Sequence, residues 1–364
     1  MAPLNFNELV RHYADIINPL FWHDSFYQSD SLFEYVCTLL RAGGVQSEGW
    51  DAYLESKATL RDLKVLGEIE LPGTLFPDVK RTRARLALIA YCHATEMDWP
   101  YFLIANLLRV RLGQKYDIRP FRILNRVPKK KRRNSITVKP PSPLQKIGYL
   151  KQLAEDANLP GLGNALAAVC DNIIRNAVYH SDYVLHSNEL RLLRGSRLST
   201  RNNHLTQVVA FDELADLVNG AFAFYSALLQ LYERALTLLK DFEFAFLPFD
   251  SHYKGLLELV FDDGVLVGFR AYWPNGTLSE YKRQIAGCTA TNIVFNPDGS
   301  MNFFVGLHAA QPSSFSPLVE HDAKPVYAAR PGTDVRPYWP VEIRAYKLSD
   351  LGNVISDEKE TEAR

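Results

Sequence analysis

The sequence predicts an α+β protein, a helical bundle followed by an antiparallel β-meander in the C-terminal part. Three observations carry that prediction. Apolar residues recur at helical spacing from the N-terminal region to Leu239. From His252 onward the period becomes that of strands, in short apolar, aromatic and β-branched runs. Those runs are separated by Asp262-Asp263-Gly264, Pro274-Asn275-Gly276 and Asn296-Pro297-Asp298-Gly299, which favour tight turns.

The chain has 364 residues, more than one typical domain, so two packed units are expected. Its 47% hydrophobic and 23% charged residues suit a globular protein with a sizeable core and exclude a disordered or fibrous chain. With 41 basic and 41 acidic residues, net charge carries no information about partners; only its local distribution does. Cys37, Cys92, Cys170 and Cys288 are far apart in apolar settings, so buried thiols are expected, with neither a zinc site nor a disulfide framework. The opening residues show no basic region followed by an apolar core, so no signal peptide is expected. The most apolar long stretch, 220–239, contains Glu233 and Arg234 and reads as an amphipathic helix, with no membrane span expected. A reducing cytoplasm is the expected location.

Residues 1–127 read as an N-terminal helical region. Leu32, Phe33, Tyr35, Val36, Leu39 and Leu40 form one stripe, Leu86, Ile89, Ala90 and His93 a second, Phe102, Ile104, Leu107 and Leu108 a third. Gly43-Gly44 punctuates the first, and Trp99-Pro100 separates the other two. From Ile118 to Ala154 there is no acidic residue. Residues 128–143, carrying Lys129, Lys130, Lys131, Arg132 and Arg133 and broken by Pro140, Pro141 and Pro143, read as an exposed basic linker.

Residues 144–245 read as a second helical region with an inserted hairpin. One helix runs from Leu144 to about Ala157. Asn158-Leu159-Pro160 then suits a cap and first turn, and the next helix is expected to continue to His180. Tyr183 to Leu193, centred on Ser187-Asn188, has the pattern of a hairpin. Arg191, Arg194, Arg197 and Arg201 form another acid-free stretch. Asp212 and Glu213 suit the positive end of a long helix reaching Leu239. Residues 250–348 read as the β-rich region, with strands at Leu256–Phe261, Val265–Trp273, Asn292–Phe295 and Met301–Leu307 and shorter ones near Val326 and from Val341 to Tyr346. Residues 356–364 read as a charged, disordered tail.

The chemistry concentrates at the end of the expected Leu162–His180 helix. At ~100° per residue, Leu166, Val169, Cys170, Ile173 and Ala177 share the buried face. Asn172, Asn176 and His180 stack along one flank, with Arg175 and Tyr179 in the next row outward. His180 is the group there that exchanges protons near neutral pH. Arg175 supplies a planar charge suited to phosphate, and Asn176 is placed to orient the imidazole. Such a set suits metal-free RNA cleavage, the histidine moving a ribose or leaving-group proton and the arginine stabilising charge on phosphorus. No adjacent Asp/Glu cluster suggests a divalent metal.

Arg175-Asn176-x-x-x-His180, flanked by Ile174 and by Ser181-Asp182-Tyr183, resembles the R-N-x-x-x-H motif of HEPN-domain proteins, small helical bundles common among prokaryotic toxins and phage-defence ribonucleases. The resemblance covers about residues 144–240. It implies catalysis by Arg175 and His180 with Asn176 in support, a homodimer in which two motifs face one composite cleft, and no metal or cofactor. It also implies RNA products with 2′,3′-cyclic phosphate ends, a role in phage defence or with an antitoxin or other regulatory protein, and, for members that have lost activity, a module that binds RNA, nucleotide or a protein. Tyr179, Arg191, Arg194, Arg197 and the Lys129–Arg133 run are the candidate substrate contacts, because phosphate recognition needs basic residues near the cleft.

Each of these residues also has a plainer reading. His180 is a hydrogen-bonded residue at the border of the core, Arg175 a partner for Asp171 one turn earlier, Asn176 an inter-helix link, Tyr179 packing, and the basic runs solvated loops. The sequence contains no GxxxxGK[ST], GxGxxG at a strand–helix junction, HExxH or GxSxG, so P-loop, Rossmann, zinc-protease and α/β-hydrolase chemistries are unsupported.

Overall fold

The computed structural model describes residues 5–23, 26, 29–44, 51–125, 140–193, 198–199, 205–243, 245–249, 255–273, 278–284, 287–295, 301–303 and 346–347. Five helices come first: α1 (Phe6–Phe21), α2 (Ser29–Ala42), α3 (Ala52–Glu68), α4 (Val79–Glu96) and α5 (Asp98–Arg111). After a short 3₁₀ turn at Arg122–Leu124 come α6 (Pro143–Asp156), α7 (Pro160–Val169) and α8 (Asn172–Tyr179). Strands β1 (Tyr183–His186), β2 (Glu189–Leu192), β3 (Leu198–Ser199), β4 (Leu205–Thr206) and β5 (Val208–Ala210) precede the long helix α9 (Phe211–Lys240). The remaining strands are β6 (Ala245–Phe249), β7 (Gly255–Asp262), β8 (Val265–Tyr272), β9 (Leu278–Gln284), β10 (Gly287–Thr291), β11 (Ile293–Phe295), β12 (Met301–Phe303) and β13 (Tyr346–Lys347). The molecule is thus mixed helix and antiparallel sheet, helices first and a sheet-rich C-terminal part after, as the change of period predicts.

Packing divides the chain into two units, with boundaries inside α1, α3, α5 and α9 and one more between Pro120 and Phe121. One comprises 1–18, 55–101 and 121–231, the other 19–54, 102–120 and 232–364. The boundaries read from the sequence follow changes of composition; these units are interleaved along the chain.

In the first unit α8 and β1 pack on α4, and α6 pairs with α7. Leu88, Tyr91, Leu150, Leu166, Ile174 and Phe224 are among its fully buried residues. The stripe expected on α4 is the wrong face: Leu86 and Ile89 are 50% and 53% exposed, and Leu88, Tyr91, Cys92 and Thr95 face inward instead. Two apolar rows exist on this helix, and helical period alone cannot choose between them. α4 ends at Glu96 with Met97 as its C-cap, so Trp99-Pro100 lies inside the first turn of α5, where a proline costs no hydrogen bond. Gln145 caps α6 by accepting from the Ser142 backbone N–H at 3.1 Å. Lys146, in the acid-free stretch, is buried, ion-paired to Asp98 and lies over the rings of Tyr101 and Phe121, so it serves the fold.

Asn158 ends α6 rather than capping the next helix. It sits at φ 58°, the Leu159 N–H reaches Ala154 O at 2.7 Å and the Asn158 N–H reaches Glu155 O at 3.0 Å, which closes a Schellman motif. Pro160 then takes the first position of α7. The hairpin appears where Ser187-Asn188 places it, and β5 extends it to the order β1-β2-β5.

In the second unit six strands pair in the order β10-β9-β8-β7-β6-β13, and β6 to β10 form an antiparallel meander; of the four strands expected in it, only Leu256–Phe261 and Val265–Trp273 belong to it, as β7 and β8. Asp263 and Gly264, at φ 47° and 73°, make the two-residue turn joining Asp262 to Val265. A side chain at Gly268 would meet Tyr281 O at 2.0 Å, so β8 and β9 need glycine there. α2 packs on β6 and β8, with Phe33 edge-on to Phe269, and every residue of its predicted stripe is buried. β6, β9 and β10 had no clear sequence signal; β9 turns only Ser279 and Tyr281 fully inward, and Ser279 accepts from the Trp273 indole N–H at 3.1 Å. Of the predicted Asn292–Phe295 and Met301–Leu307 strands, Ile293–Phe295 and Met301–Phe303 pair as a separate ribbon, β11 with β12, and residues 304–307 lie outside the described residues. The strand near Val326, residues 341–345 and the 356–364 tail lie outside the described residues. Among the described residues, α9 alone is long and apolar enough to cross a membrane, and 61% of its most apolar window is buried in the protein.

Candidate functional site

The expected Leu162–His180 helix is two helices. Cys170 and Asp171 are extended, and Asp171 caps α8, its carboxylate accepting from the Ile173 and Ile174 N–H groups at 2.8 Å each. The Asp171 N–H itself donates to the Tyr91 hydroxyl at 2.6 Å. This break resets the helical phase, so Ile174, not Ile173, joins Ala177 in the core. A cap residue inside an apolar period was the available signal for the break.

α8 ends as α6 does. The His180 N–H bonds Asn176 O, Ser181 takes φ 55°, and the Asp182 N–H reaches Ala177 O at 2.8 Å. His180 is thereby the C-cap and is exposed, rather than at the border of the core. Among the described residues its imidazole makes no hydrogen bond or ion pair. Tyr179, 52% exposed, lies beside it in sequence and carries its ring 5.4 Å from the Arg175 guanidinium carbon.

Arg175 is the hub of the cluster. One terminal nitrogen donates to Asn176 Oδ1 at 3.0 Å, and the other forms an ion pair with Glu96, the last residue of α4. Its Nε is buried with no hydrogen-bond partner. Asp171, the partner considered from the sequence, is occupied in capping. Glu96 carries no local sequence signal, because it lies 79 positions before Arg175 on a different helix.

The buried groups around this cluster are poor nucleophiles. Burial pushes the Cys92 thiol up to about 12, against the pull of the Arg175 charge. Burial, with the Asp171 carboxylate adding to it, pushes the Cys170 thiol up to about 11. Both are protonated at neutral pH and, like Cys37, are buried and free. Burial also raises Asp171 above the usual carboxylate range, its two backbone N–H bonds opposing. The imidazole of His180, by contrast with these groups, is exposed.

Arg191 is the other described substrate-contact candidate. It lies on the exposed face of β2 and is engaged by Glu189 at 2.7 Å and His186 Nδ1 at 3.2 Å, partners on its own hairpin. Arg194, Arg197, Lys129, Lys130, Lys131, Arg132 and Arg133 lie outside the described residues. Among the described residues no group of three or more His, Cys, Asp or Glu side chains is arranged to hold a metal.

No protein-family model, curated protein or solved structure matches the chain.

Proposed function

We propose that the protein is a metal-independent endoribonuclease of the HEPN kind, acting in the cytoplasm as a homodimer with Arg175 and His180 as its working pair. The observation that carries this reading is the end of α8, where a guanidinium, an amide, a phenol ring and an exposed imidazole occupy two helical turns. His180 takes the proton of a ribose 2′-hydroxyl, or returns one to the leaving 5′-oxygen. The O2′–P bond forms as the P–O5′ bond breaks, leaving a 2′,3′-cyclic phosphate. Arg175 stabilises the charge developing on the phosphoryl oxygens, and Asn176 fixes the guanidinium. The second motif of the dimer would complete the cleft, and the biological setting in phage defence or with an antitoxin rests on the family resemblance.

One observation favours a second reading, a catalytically inactive module that binds RNA, nucleotide or protein: Glu96 already neutralises Arg175. The two readings separate in one assay. Wild type, His180→Ala and Arg175→Ala, matched for folding and oligomeric state, are incubated with a mixed RNA pool in EDTA. The enzyme reading expects cleavage by wild type alone, with cyclic phosphate ends. Equal cleavage by all three assigns the activity elsewhere, and no cleavage together with RNA retention by wild type supports the binding module.

A further inference from the structure

We infer that Glu96 is an internal latch on Arg175, occupying in the resting chain the place that a nucleic-acid phosphate takes in the working complex. The inference rests on the reading of Arg175 as a phosphate-binding residue and adds the group that regulates it.

Three features of the pair point this way. Guanidinium presents Nε and one terminal nitrogen along a single edge, the edge that grips an oxyanion two-fold. Glu96 takes only the terminal nitrogen of Arg175 and leaves Nε buried and unpartnered. An orphaned buried donor is costly, so the resting arrangement does not satisfy this arginine. A tetrahedral phosphate, with several oxygens to offer, can take both positions at once.

Glu96 is itself badly placed without Arg175. It is the last residue of α4, at the negative end of the helix dipole, where a carboxylate is disfavoured. The nearby acid, Asp98, opens α5 and has Lys146 as its partner, so it does not compete. Finally, the pair is only partly withdrawn from water: the side chains are 19% and 32% exposed. Such a pair is strong enough to hold Arg175 and open enough to exchange for an incoming anion. Asn176 keeps its bond to the guanidinium from the same helix, so the arginine does not need to leave its place when the partner changes.

The test measures binding, apart from cleavage. A fluorescent 2′-O-methyl oligonucleotide, which lacks the attacking hydroxyl, is titrated against the full chain as wild type, Glu96→Gln, Arg175→Ala and the double variant. Glu96→Gln is expected to bind about tenfold tighter. The slope of log affinity against log salt should steepen by about 0.7, one added contact to a single strand. In the Arg175→Ala background the same substitution should change nothing, because there is no guanidinium to release. Unchanged or weaker binding by Glu96→Gln overturns the latch. So does an equal gain with and without Arg175, which would make Glu96 merely a repelling surface charge. Should Glu96→Gln fold poorly, Glu96→Asp keeps the charge but shortens its reach, and a gain between wild type and tenfold is then expected; no gain overturns the proposal. Tighter binding without cleavage by any variant keeps the latch and removes the nuclease reading, so the two fail separately.

Discussion

Arg175 on α8 and Arg270 on β8 are both half-buried arginines among carboxylates, and they are used differently. Glu258, Arg270 and Glu280 sit side by side across β7, β8 and β9. Arg270 Nε donates to Glu280 at 2.7 Å and a terminal nitrogen reaches Glu258 at 3.4 Å. Tyr272 donates to the same Glu258 at 2.7 Å, and the hydrogen bond to Glu280 raises the arginine further above its ordinary value. Two acids hold this arginine, a phenol closes the cluster on Glu258, and among the described residues no histidine stands in it. Arg175 has one acid, an idle Nε and an exposed histidine at the end of its own helix. An idle Nε is no signature by itself, since Arg41, between Asp51 and the Tyr53 ring, has one as well. What separates Arg175 is the combination of an unmet donor with an imidazole and a phenol that water reaches.

The largest expected effect tests this contrast directly. Arg175→Ala should lower RNA cleavage by about 10²–10³-fold, the usual cost of removing one charge-stabilising donor. Arg270→Ala should leave cleavage unchanged and cost about 1 kcal/mol or less in stability, as cross-strand ion pairs do. Parallel rate and urea-unfolding measurements on both variants decide it. A large rate loss for Arg270→Ala with none for Arg175→Ala would move the chemistry to the sheet.

The second effect concerns what holds Arg175 in place. Ile174 is fully buried, while Ile173 keeps part of its surface. Ile174→Ala should therefore cost at least about 2 kcal/mol by urea unfolding. Ile173→Ala should cost less than half as much. Equal losses would mean that α8 does not restart at Asp171 and that the helical phase runs through from Pro160.

These two neighbouring isoleucines show where reading the sequence succeeds and stops. The helix-to-strand change, the Asp263-Gly264 and Ser187-Asn188 turns and the α2 stripe were legible because each is written in consecutive or periodic residues. Arg175 and Asn176 meet because they are consecutive on α8, while His180, expected on the same helix flank, is its exposed C-cap, and Asn176 bonds the guanidinium, not the imidazole. The break at Cys170-Asp171 was hidden because Val169, Cys170 and Ile173 continue an apolar period that outweighs a single capping residue. The α4 face was ambiguous because Leu86 and Ile89 make as regular a row as Leu88 and Tyr91. Glu96 was out of reach altogether. Only the packing of α8 on α4 brings it to Arg175, and no spacing in the sequence encodes that contact.

The smallest expected effect distinguishes the two things Asp171 does at that break. Its carboxylate caps α8, which favours the ionised form, yet burial outweighs the cap and raises its pKa above the unfolded value. A group raised by folding holds its proton more tightly in the folded state. Its contribution to stability is therefore complete below the unfolded pKa and is lost as pH rises through the folded one. Asparagine caps a helix about as well as aspartate and has no charge to bury. Asp171→Asn should thus be as stable as wild type or slightly more so near neutrality, with a flatter stability profile as pH rises above the unfolded carboxylate value of about 4. Asp171→Ala loses the cap and should cost about 1 kcal/mol throughout. If Asp171→Asn loses as much as Asp171→Ala, the negative charge itself holds α8 in place, and the helix that carries Arg175 and His180 is anchored by electrostatics more than by its cap.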